Sequence, residues 1–179
     1  MKTQKITFIG TCCTGKTTLL KTLQDELKND NAVFIQEAAT QYFTEHGRPK
    51  VFSEDSHRCI QNLALENELK AASSQPALIV CDRSVLDPAV YCHKFIDKQS
   101  GDSFFAKIQH WLPTYTKIYL LDPTDIEYKQ TTLRNETPKT RQGLHSAFLE
   151  FLQIHNVDYS LLSGSNDERI AKIKLLIKS

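Results

Sequence analysis

Residues 10–17 of the chain read Gly10-Thr11-Cys12-Cys13-Thr14-Gly15-Lys16-Thr17. This order matches the Walker A pattern G-x-x-x-x-G-K-[ST], in which backbone N–H groups form a nest for phosphate and the following helix adds the positive end of its dipole. Lys16 is expected to reach the outer phosphates, and the Thr17 hydroxyl is expected to bind Mg²⁺. Gly10 and Gly15 let the backbone turn tightly and approach a phosphate oxygen.

The segments on either side place this loop between a strand and a helix. Residues 6–9 are a short apolar run rich in β-formers, and residues 18–27 carry leucines at helical spacing. Strand, loop and helix therefore follow in the order that a phosphate-binding loop requires, and Thr18 joins residues 10–17 as a predicted nucleotide contact. The alternative interpretation is a turn between two glycines, ahead of a helix, that binds no ligand.

The composition is typical of one soluble domain. With 179 residues, 40% of them hydrophobic, the chain suits a single domain over residues 1–179, and a net charge of +1 argues against binding to nucleic acid through bulk electrostatics. The lack of a long apolar segment predicts that the chain does not span a membrane, and a membrane-surface role for residues 174–178 is the alternative to an ordinary amphipathic helix end. Its five cysteines form an odd set without C-x-x-C spacing, so the sequence indicates neither a disulfide framework nor a zinc site and fits a reducing cytoplasm. Cys12 and Cys13 are either redox-sensitive thiols or small residues tolerated in a tight loop. His57, His93 and His110 form no pattern and are not predicted as ligands.

Strand-like and helical runs alternate along the rest of the chain. We predict further strands at 32–36, 77–81, 117–121 and 157–162, a loop at 42–50, and helices at 53–72, 85–98, 102–112, 144–155 and 167–177. Ser100 and Gly101 would separate the second and third of these helices. The alternation predicts an α/β three-layer fold with a five-stranded, mostly parallel sheet, helices on both faces and right-handed connections.

Polar side chains follow two of the predicted strands. Glu37 stands at the carboxyl end of the second strand, and Asp82-Arg83-Ser84 follows the third. Open parallel sheets bind their ligands at this edge. A buried strand that ends in an acid matches the Walker B arrangement, so Asp82 is predicted to bind Mg²⁺ directly or through water. The alternatives are a helix-capping role for Asp82 and a capping or salt-bridging role for Glu37.

A polar segment, residues 124–141, follows the fourth predicted strand. It carries Arg134, Lys139 and Arg141, and Pro138 is expected to interrupt any single helix. Its small apolar content predicts a lid that brings cations over the transferring phosphate, because phosphoryl transfer needs water excluded and positive charge supplied. The alternative is a solvated connector without a role.

Together these motifs resemble P-loop kinases, and more closely the small AAA-type ATPase/kinase family that includes the ribosylnicotinamide kinase domain of bifunctional NAD-biosynthesis proteins. The resemblance rests on the phosphate loop, on Glu37-Ala38-Ala39, on the segment Asp82-Arg83-Ser84-Val85-Leu86-Asp87 and on the tail that begins at Leu133-Arg134. Before that arginine the chain has Gln130-Thr131-Thr132-Leu133, where members acting on ribosylnicotinamide tend to have acidic residues and a glycine. The acceptor is therefore left open.

The resemblance also implies roles for individual residues. Glu37 would take the proton of the acceptor hydroxyl, Asp82 would be the Mg²⁺-linked acid, and Arg83 would be a cation near the base or the phosphates. Asp87 would contact the acceptor. The two remaining arginines, Arg134 and Arg141, would act from the lid.

Two functions are carried forward. The first is a Mg²⁺-ATP-dependent kinase that phosphorylates a hydroxyl of a small nucleoside-like acceptor, and the second is a nucleotide-binding regulatory ATPase that acts on a protein or lipid partner. A G protein is disfavoured because the chain has Leu121-Asp122-Pro123, and no N-K-x-D motif, after the fourth strand. The preference for ATP over GTP and the oligomeric state are left open.

Overall fold

The computed structural model describes residues 3–28, 30–47, 52–124, 126–128 and 137–177. Its strands are β1 (Gln4–Ile9), β2 (Ala32–Ile35), β3 (Leu78–Asp82), β4 (Lys117–Leu121) and β5 (Ser160–Leu162). Its helices are α1 (Lys16–Glu26), α2 (Ala38–His46), α3 (Glu54–Ser73), α4 (Asp87–Phe95), α5 (Lys98–Ile108), α6 (Pro138–Ile154) and α7 (Asn166–Ile177), with a 3₁₀ turn at Leu112–Thr114.

Within the described residues, the five strands form one sheet in the order β2-β3-β1-β4-β5, and each neighbouring pair is parallel. The predicted α/β fold is confirmed, and the sheet is parallel throughout. Parallel strands share one carboxyl edge, and the register pairs Phe8 of β1 with Asp82 of β3 there. The helix after β1 and the helices after β3 pack on opposite faces. Such a divergence opens a crevice at the sheet edge between the two strands.

Side-chain alternation along the strands builds a core on each face. Ile6 and Phe8 of β1 pack with leucines of α1 and with Ile173 of α7 on one face. Ile9 of β1 and Leu120 of β4 pack with helices α3 to α6 on the other. The central strand β1 is therefore covered on both sides, which fixes the loop that follows it.

Residues 42–46, predicted as part of a loop, belong to helix α2. Tyr42 and Phe43 pack against the core beside α3, and the helix ends at Gly47, whose φ is +76°. The loop prediction rested on Gly47 and Pro49, but Gly47 only ends the helix, and tertiary packing of Tyr42 and Phe43 stabilises the helical turns before it. Residues 48–50 of that predicted loop lie outside the described residues.

The boundary between α4 and α5 also differs from the prediction. The break falls at Ile96-Asp97, because the Asp97 carboxylate caps α5 by accepting from the Ser100 backbone N–H at 2.7 Å. Gly101 lies inside α5, where a Cβ atom would stand 2.4 Å from the Cβ of His93 in α4. The glycine is there for the close approach of two helices, not to end one.

No helix within the described segments combines the length and the apolar character needed to span a membrane.

Candidate active site

The phosphate loop connects β1 to α1 with an unusual backbone. Gly10, Cys13 and Gly15 have φ values of +125°, +53° and +84°. At Gly10 a side chain is also blocked by space, since a Cβ would lie 3.2 Å from Leu120 Cδ1 and 3.4 Å from the Leu121 carbonyl oxygen. The two glycines of the motif are thus required by the turn itself, as the sequence predicted.

Lys16 folds back onto its own loop. Its Nζ donates hydrogen bonds to the Gly10 carbonyl at 3.2 Å, to Thr14 Oγ1 at 3.1 Å and to the Thr11 carbonyl. Burial and, to a smaller extent, the nearby Arg83 charge lower the pKa of Lys16 to about 7, although the carboxylates of the site act in the opposite direction. An anion bound in the loop would favour the protonated ammonium.

Asp82, at the end of β3, meets Thr17 at the start of α1. The Thr17 hydroxyl donates to Asp82 Oδ2 at 2.6 Å, and Oδ1 is buried without a hydrogen-bond partner among the described residues. Burial raises the pKa of Asp82, while the Lys16 charge and the Thr17 hydrogen bond act in the opposite direction. A buried carboxylate oxygen that lacks a partner beside a hydroxyl fits a Mg²⁺ ion, which prefers oxygen ligands and usually retains waters and substrate phosphates.

Arg83 ties three chain segments together. Its Nε donates to Glu37 Oε1 at 2.5 Å, and its Nη1 donates to Asp87 Oδ1 and to the Gly10 carbonyl, both at 2.8 Å. Its backbone has a φ of +71°, in the left-handed region, which turns the chain sharply after β3. The predicted residues Glu37, Arg83 and Asp87 are therefore brought together, one residue from Asp82.

Secondary contacts orient the two carboxylates. Glu37 Oε2 accepts from the Thr40 hydroxyl at 2.7 Å, and Asp87 Oδ2 accepts from the Ser84 backbone N–H at 2.9 Å and from its hydroxyl at 3.1 Å. Thr40 lies in the first turn of α2 and Ser84 lies in the turn before α4, so the start of each helix sets the bond directions of its carboxylate.

A cleft of about 1190 Å³ joins these groups. Loop residues 13–18 line one end, and Glu37, Asp82, Arg83 and Asp87 lie along it. The far end has an aromatic and apolar wall, which includes Phe43, Phe52, His57, Ile60 and Tyr91. Thr11 and Cys12 are buried behind the loop surface and do not line the cleft. The arrangement provides an anion site, a central acidic and basic network, and a compartment for a flat organic group.

His57 is a cleft residue that the sequence analysis missed. Its ring stacks on Phe52, with the ring centroids 3.9 Å apart, and its Nδ1 lies 3.0 Å from the Ser53 carbonyl oxygen. A carbonyl only accepts, so Nδ1 carries the hydrogen and Nε2 is an acceptor in the neutral ring. Burial lowers the pKa of His57, which favours that neutral form. Nothing in the sequence around His57 indicates this position.

Of the two predicted lid arginines, the structure describes only Arg141, which does not line the cleft. Arg134 lies outside the described residues. Arg141 lies in the first turn of α6, where it is 7% exposed and donates to the carbonyls of Pro123 at 2.6 Å and Ile126 at 2.9 Å. Pro138 does not interrupt a helix but begins one, because Thr137 caps α6 and proline suits its first turn. Contrary to the prediction, Arg141 holds the segment after β4 in place.

Solved structures share this fold. A crystal structure of the NadR protein in complex with NR superimposes with a TM-score of 0.79 at 18% identity, over 98% of this chain and 51% of that chain. The chain thus spans about half the length of NadR. At these identities the likeness is one of fold.

Two thymidylate kinases superimpose along most of their length. The enzyme from Candida albicans gives a TM-score of 0.68 at 16% identity, over 99% of this chain and 92% of its own. The enzyme from Ehrlichia chaffeensis gives 0.66 at 15% identity, over 98% and 100%. The fold is therefore that of P-loop kinases.

Sequence comparison gives the family. No curated protein matches the chain. The AAA domain family matches it over residues 5–169, from β1 into the first turn of α7. That span includes the phosphate loop and the network around Arg83, so the resemblance drawn from the motifs is confirmed. The chain belongs to the AAA domain family and has a P-loop kinase fold.

Proposed function

We propose that this protein transfers the γ-phosphoryl group of ATP to a hydroxyl of a small nucleoside-like acceptor. One observation carries the proposal: a single cleft runs from the phosphate loop, past Glu37 and Arg83, to an aromatic wall. A structure of NadR in complex with NAD and AMP-PNP, similar in fold at 15% identity, supports a nucleotide donor. The contacts at the cleft centre support transfer over simple hydrolysis, because the Glu37 carboxylate lines the cleft and is held in position by Arg83 and Thr40.

The transfer needs a base for the acceptor and charge for the donor. Glu37 would accept the proton as the acceptor O–H bond breaks, while the acceptor oxygen bonds to the γ-phosphorus and the bond from that phosphorus to the β–γ bridging oxygen breaks, releasing ADP. Lys16 and Arg83 would stabilise the negative charge on the transferring group. Asp87 would orient the acceptor, as its placement beside Arg83 allows.

Mg²⁺ would be held by Thr17 and Asp82, whose oxygen atoms suit it. When bound, the ion neutralises charge on the phosphates and aligns them. In the described segments, no group of three or more His, Cys, Asp or Glu side chains forms a metal site, which fits an ion whose remaining ligands come from phosphates and water.

The test is an ADP-release assay on the full chain with Mg²⁺-ATP and a panel of acceptors. The panel contains ribonucleosides, deoxyribonucleosides, ribosylnicotinamide and the corresponding nucleoside monophosphates. At least one nucleoside should accelerate ADP formation well above the acceptor-free rate, with a phosphorylated nucleoside as product. An equal rate with every acceptor would favour the regulatory ATPase and refute the kinase.

Glu37→Gln tests the base. The amide cannot take a proton, so acceptor-dependent kcat should fall about 10²- to 10⁴-fold. Glu66→Gln is the matched control, because Glu66 is an exposed carboxylate on α3 away from the cleft lining. Acceptor-dependent turnover that persists at the normal rate in Glu37→Gln would exclude Glu37 as the base.

A further inference from the structure

Arg169, in the first turn of α7, is a buried cation in contact with the phosphate loop. It is 1% exposed, although arginine is rarely buried without partners. Its Nη1 donates to the Thr14 carbonyl at 2.7 Å, and its Nη2 donates to the Asp122 carbonyl at 2.9 Å. One guanidinium thus joins the loop after β1 to the end of β4.

The contact with Thr14 fixes the direction of a loop amide. The described chain has no cis peptide bonds, and in a trans peptide unit the carbonyl of one residue points opposite to the N–H of the next. Arg169 holds the Thr14 carbonyl at the back of the loop, so the Gly15 N–H is directed to the other side. Gly15 lines the cleft on that side, and its φ of +84° completes the turn.

Two other loop carbonyls, those of Gly10 and Thr11, are held by groups that line or adjoin the cleft. Arg83 and Lys16 donate to the Gly10 carbonyl, and Thr14 Oγ1 donates to the Thr11 carbonyl at 3.2 Å. A polyphosphate would compete for the Lys16 ammonium. Arg169 lies outside the cleft lining, so its hold on the loop does not depend on whether phosphate is bound.

The position of Arg169 is fixed by its own helix. The neighbouring Glu168 carboxylate accepts from the Ser165 backbone N–H at 2.7 Å and from its hydroxyl at 2.9 Å, which closes the start of α7. Ile170 and Ile173 then anchor the helix in the core shared with α1. The Arg169 side chain is thus fixed at its backbone by α7 and at its guanidinium by the Asp122 carbonyl.

We propose that Arg169 is a positioning residue for polyphosphate binding: it holds the Thr14 carbonyl away from the cleft and thereby presents the Gly15 amide to the phosphates. The inference rests on the nucleotide-binding part of the proposed function and not on the acceptor. A peptide unit without this contact can rotate, and each oriented amide lost from an anion site weakens binding.

The test measures binding of Mg²⁺-ATP and of Mg²⁺-tripolyphosphate, which occupies the loop without a base, by titration calorimetry. Arg169→Gln should weaken both about 10- to 100-fold, the loss expected for a hydrogen bond to a charged group. Arg169→Lys keeps the charge but can reach only one of the two carbonyls, so its loss should be smaller. The shift of the Gly15 amide NMR signal on adding tripolyphosphate should be reduced in Arg169→Gln.

Two control variants separate this role from general loosening of α7. Ile173→Ala creates a cavity under the same helix and should lower the melting temperature while leaving both affinities within about twofold. Lys174→Gln removes a cation of α7 that pairs with Glu26 of α1 at 2.7 Å, and should change neither affinity.

Each outcome decides the inference. Unchanged affinities in folded Arg169→Gln overturn it, and so does an equal loss of affinity in Ile173→Ala. If Arg169→Gln does not fold, Arg169→Lys carries the test, and unchanged binding in that variant shows a purely structural role. Polyphosphate binding that depends on Arg169, without any acceptor-dependent turnover, would uphold the inference and refute the kinase proposal.

Discussion

Replacing Arg83 with Met should destabilise the protein strongly, because the guanidinium is the shared partner of two buried carboxylates. It contacts Glu37 at 2.5 Å and Asp87 at 2.8 Å, and it also holds the Gly10 carbonyl. The side chains are 9% exposed for Arg83, 11% for Glu37 and 4% for Asp87. Water can therefore replace little of the lost interaction, and Met fills a similar length without charge.

The magnitude follows from what each carboxylate retains. Removing one partner of a buried ion pair costs about 3–5 kcal/mol. We expect the lower end, about 3 kcal/mol, because Asp87 keeps two hydrogen bonds from Ser84 and Glu37 keeps one from Thr40. For a chain of this length, that loss lowers the melting temperature by about 6–12 °C.

Urea unfolding of the wild type, Arg83→Met, Glu37→Gln and the double variant measures the free energies of unfolding. If the cost comes from a buried carboxylate left without its cation, the added Glu37→Gln change should recover about 1–2 kcal/mol in the Arg83→Met background. Arg58→Met is the control, since its pair with Glu54 is about 40% exposed and should cost under about 1 kcal/mol. The reasoning is refuted if the changes in the free energy of unfolding for Arg83→Met and Glu37→Gln are strictly additive. It is also refuted if Arg83→Met lowers the free energy of unfolding no more than Arg58→Met does.

Three further results are expected. Asp82→Asn should reduce the factor by which Mg²⁺ strengthens ATP binding at least about tenfold. It should not lower the melting temperature of the metal-free protein, because it removes a buried charge, and a lower melting temperature would contradict this. Burial lowers the pKa of Lys16 to about 7, so in the nucleotide-free protein this lysine is mostly neutral at pH 8 and mostly protonated at pH 6. ATP binding should therefore take up protons at pH 8 and not at pH 6, and calorimetry in buffers of different ionisation enthalpy measures this uptake. Gly101→Ala should cost about 1–3 kcal/mol in urea unfolding, because its Cβ would stand 2.4 Å from His93 Cβ, and a loss below about 0.5 kcal/mol would show that the two helices separate easily.

The parts of the site that stand at the carboxyl end of a strand could be predicted from the sequence. The phosphate loop, Glu37, Asp82 and Arg83 each follow a recognisable strand, and the shared edge of a parallel sheet brings them together. The aromatic wall could not be predicted, because Phe52, on the connection before α3, meets other rings only through the packing of α3 and α4. Its residues share no spacing that would distinguish them from core.

Arg141 shows that a positive charge in a polar segment does not by itself place a residue on a lid. Arg141 follows Thr137-Pro138, a capping residue and a first-turn proline that together signal the start of a helix. Thr137-Pro138 therefore predicts that Arg141 lies in the first turn of a helix and not on a lid. Arg169 stands beside Ile170 at a core position of the last helix, and a cation in such a place indicates a buried hydrogen-bonding role.

The connections after β1 and β3 pack on opposite faces of the sheet, so the two ends of the cleft are built from two different layers of the protein. Lys16 of α1 and Arg169 of α7 hold the phosphate loop from one layer, whereas the aromatic wall lies in the layer of α2, α3 and α4. Under the proposed function, substitutions around the aromatic wall would change which acceptor fits, while the layer of α1 and α7 would continue to bind the same donor. A fold divided in this way could accept different substrates while its nucleotide-binding residues stay unchanged.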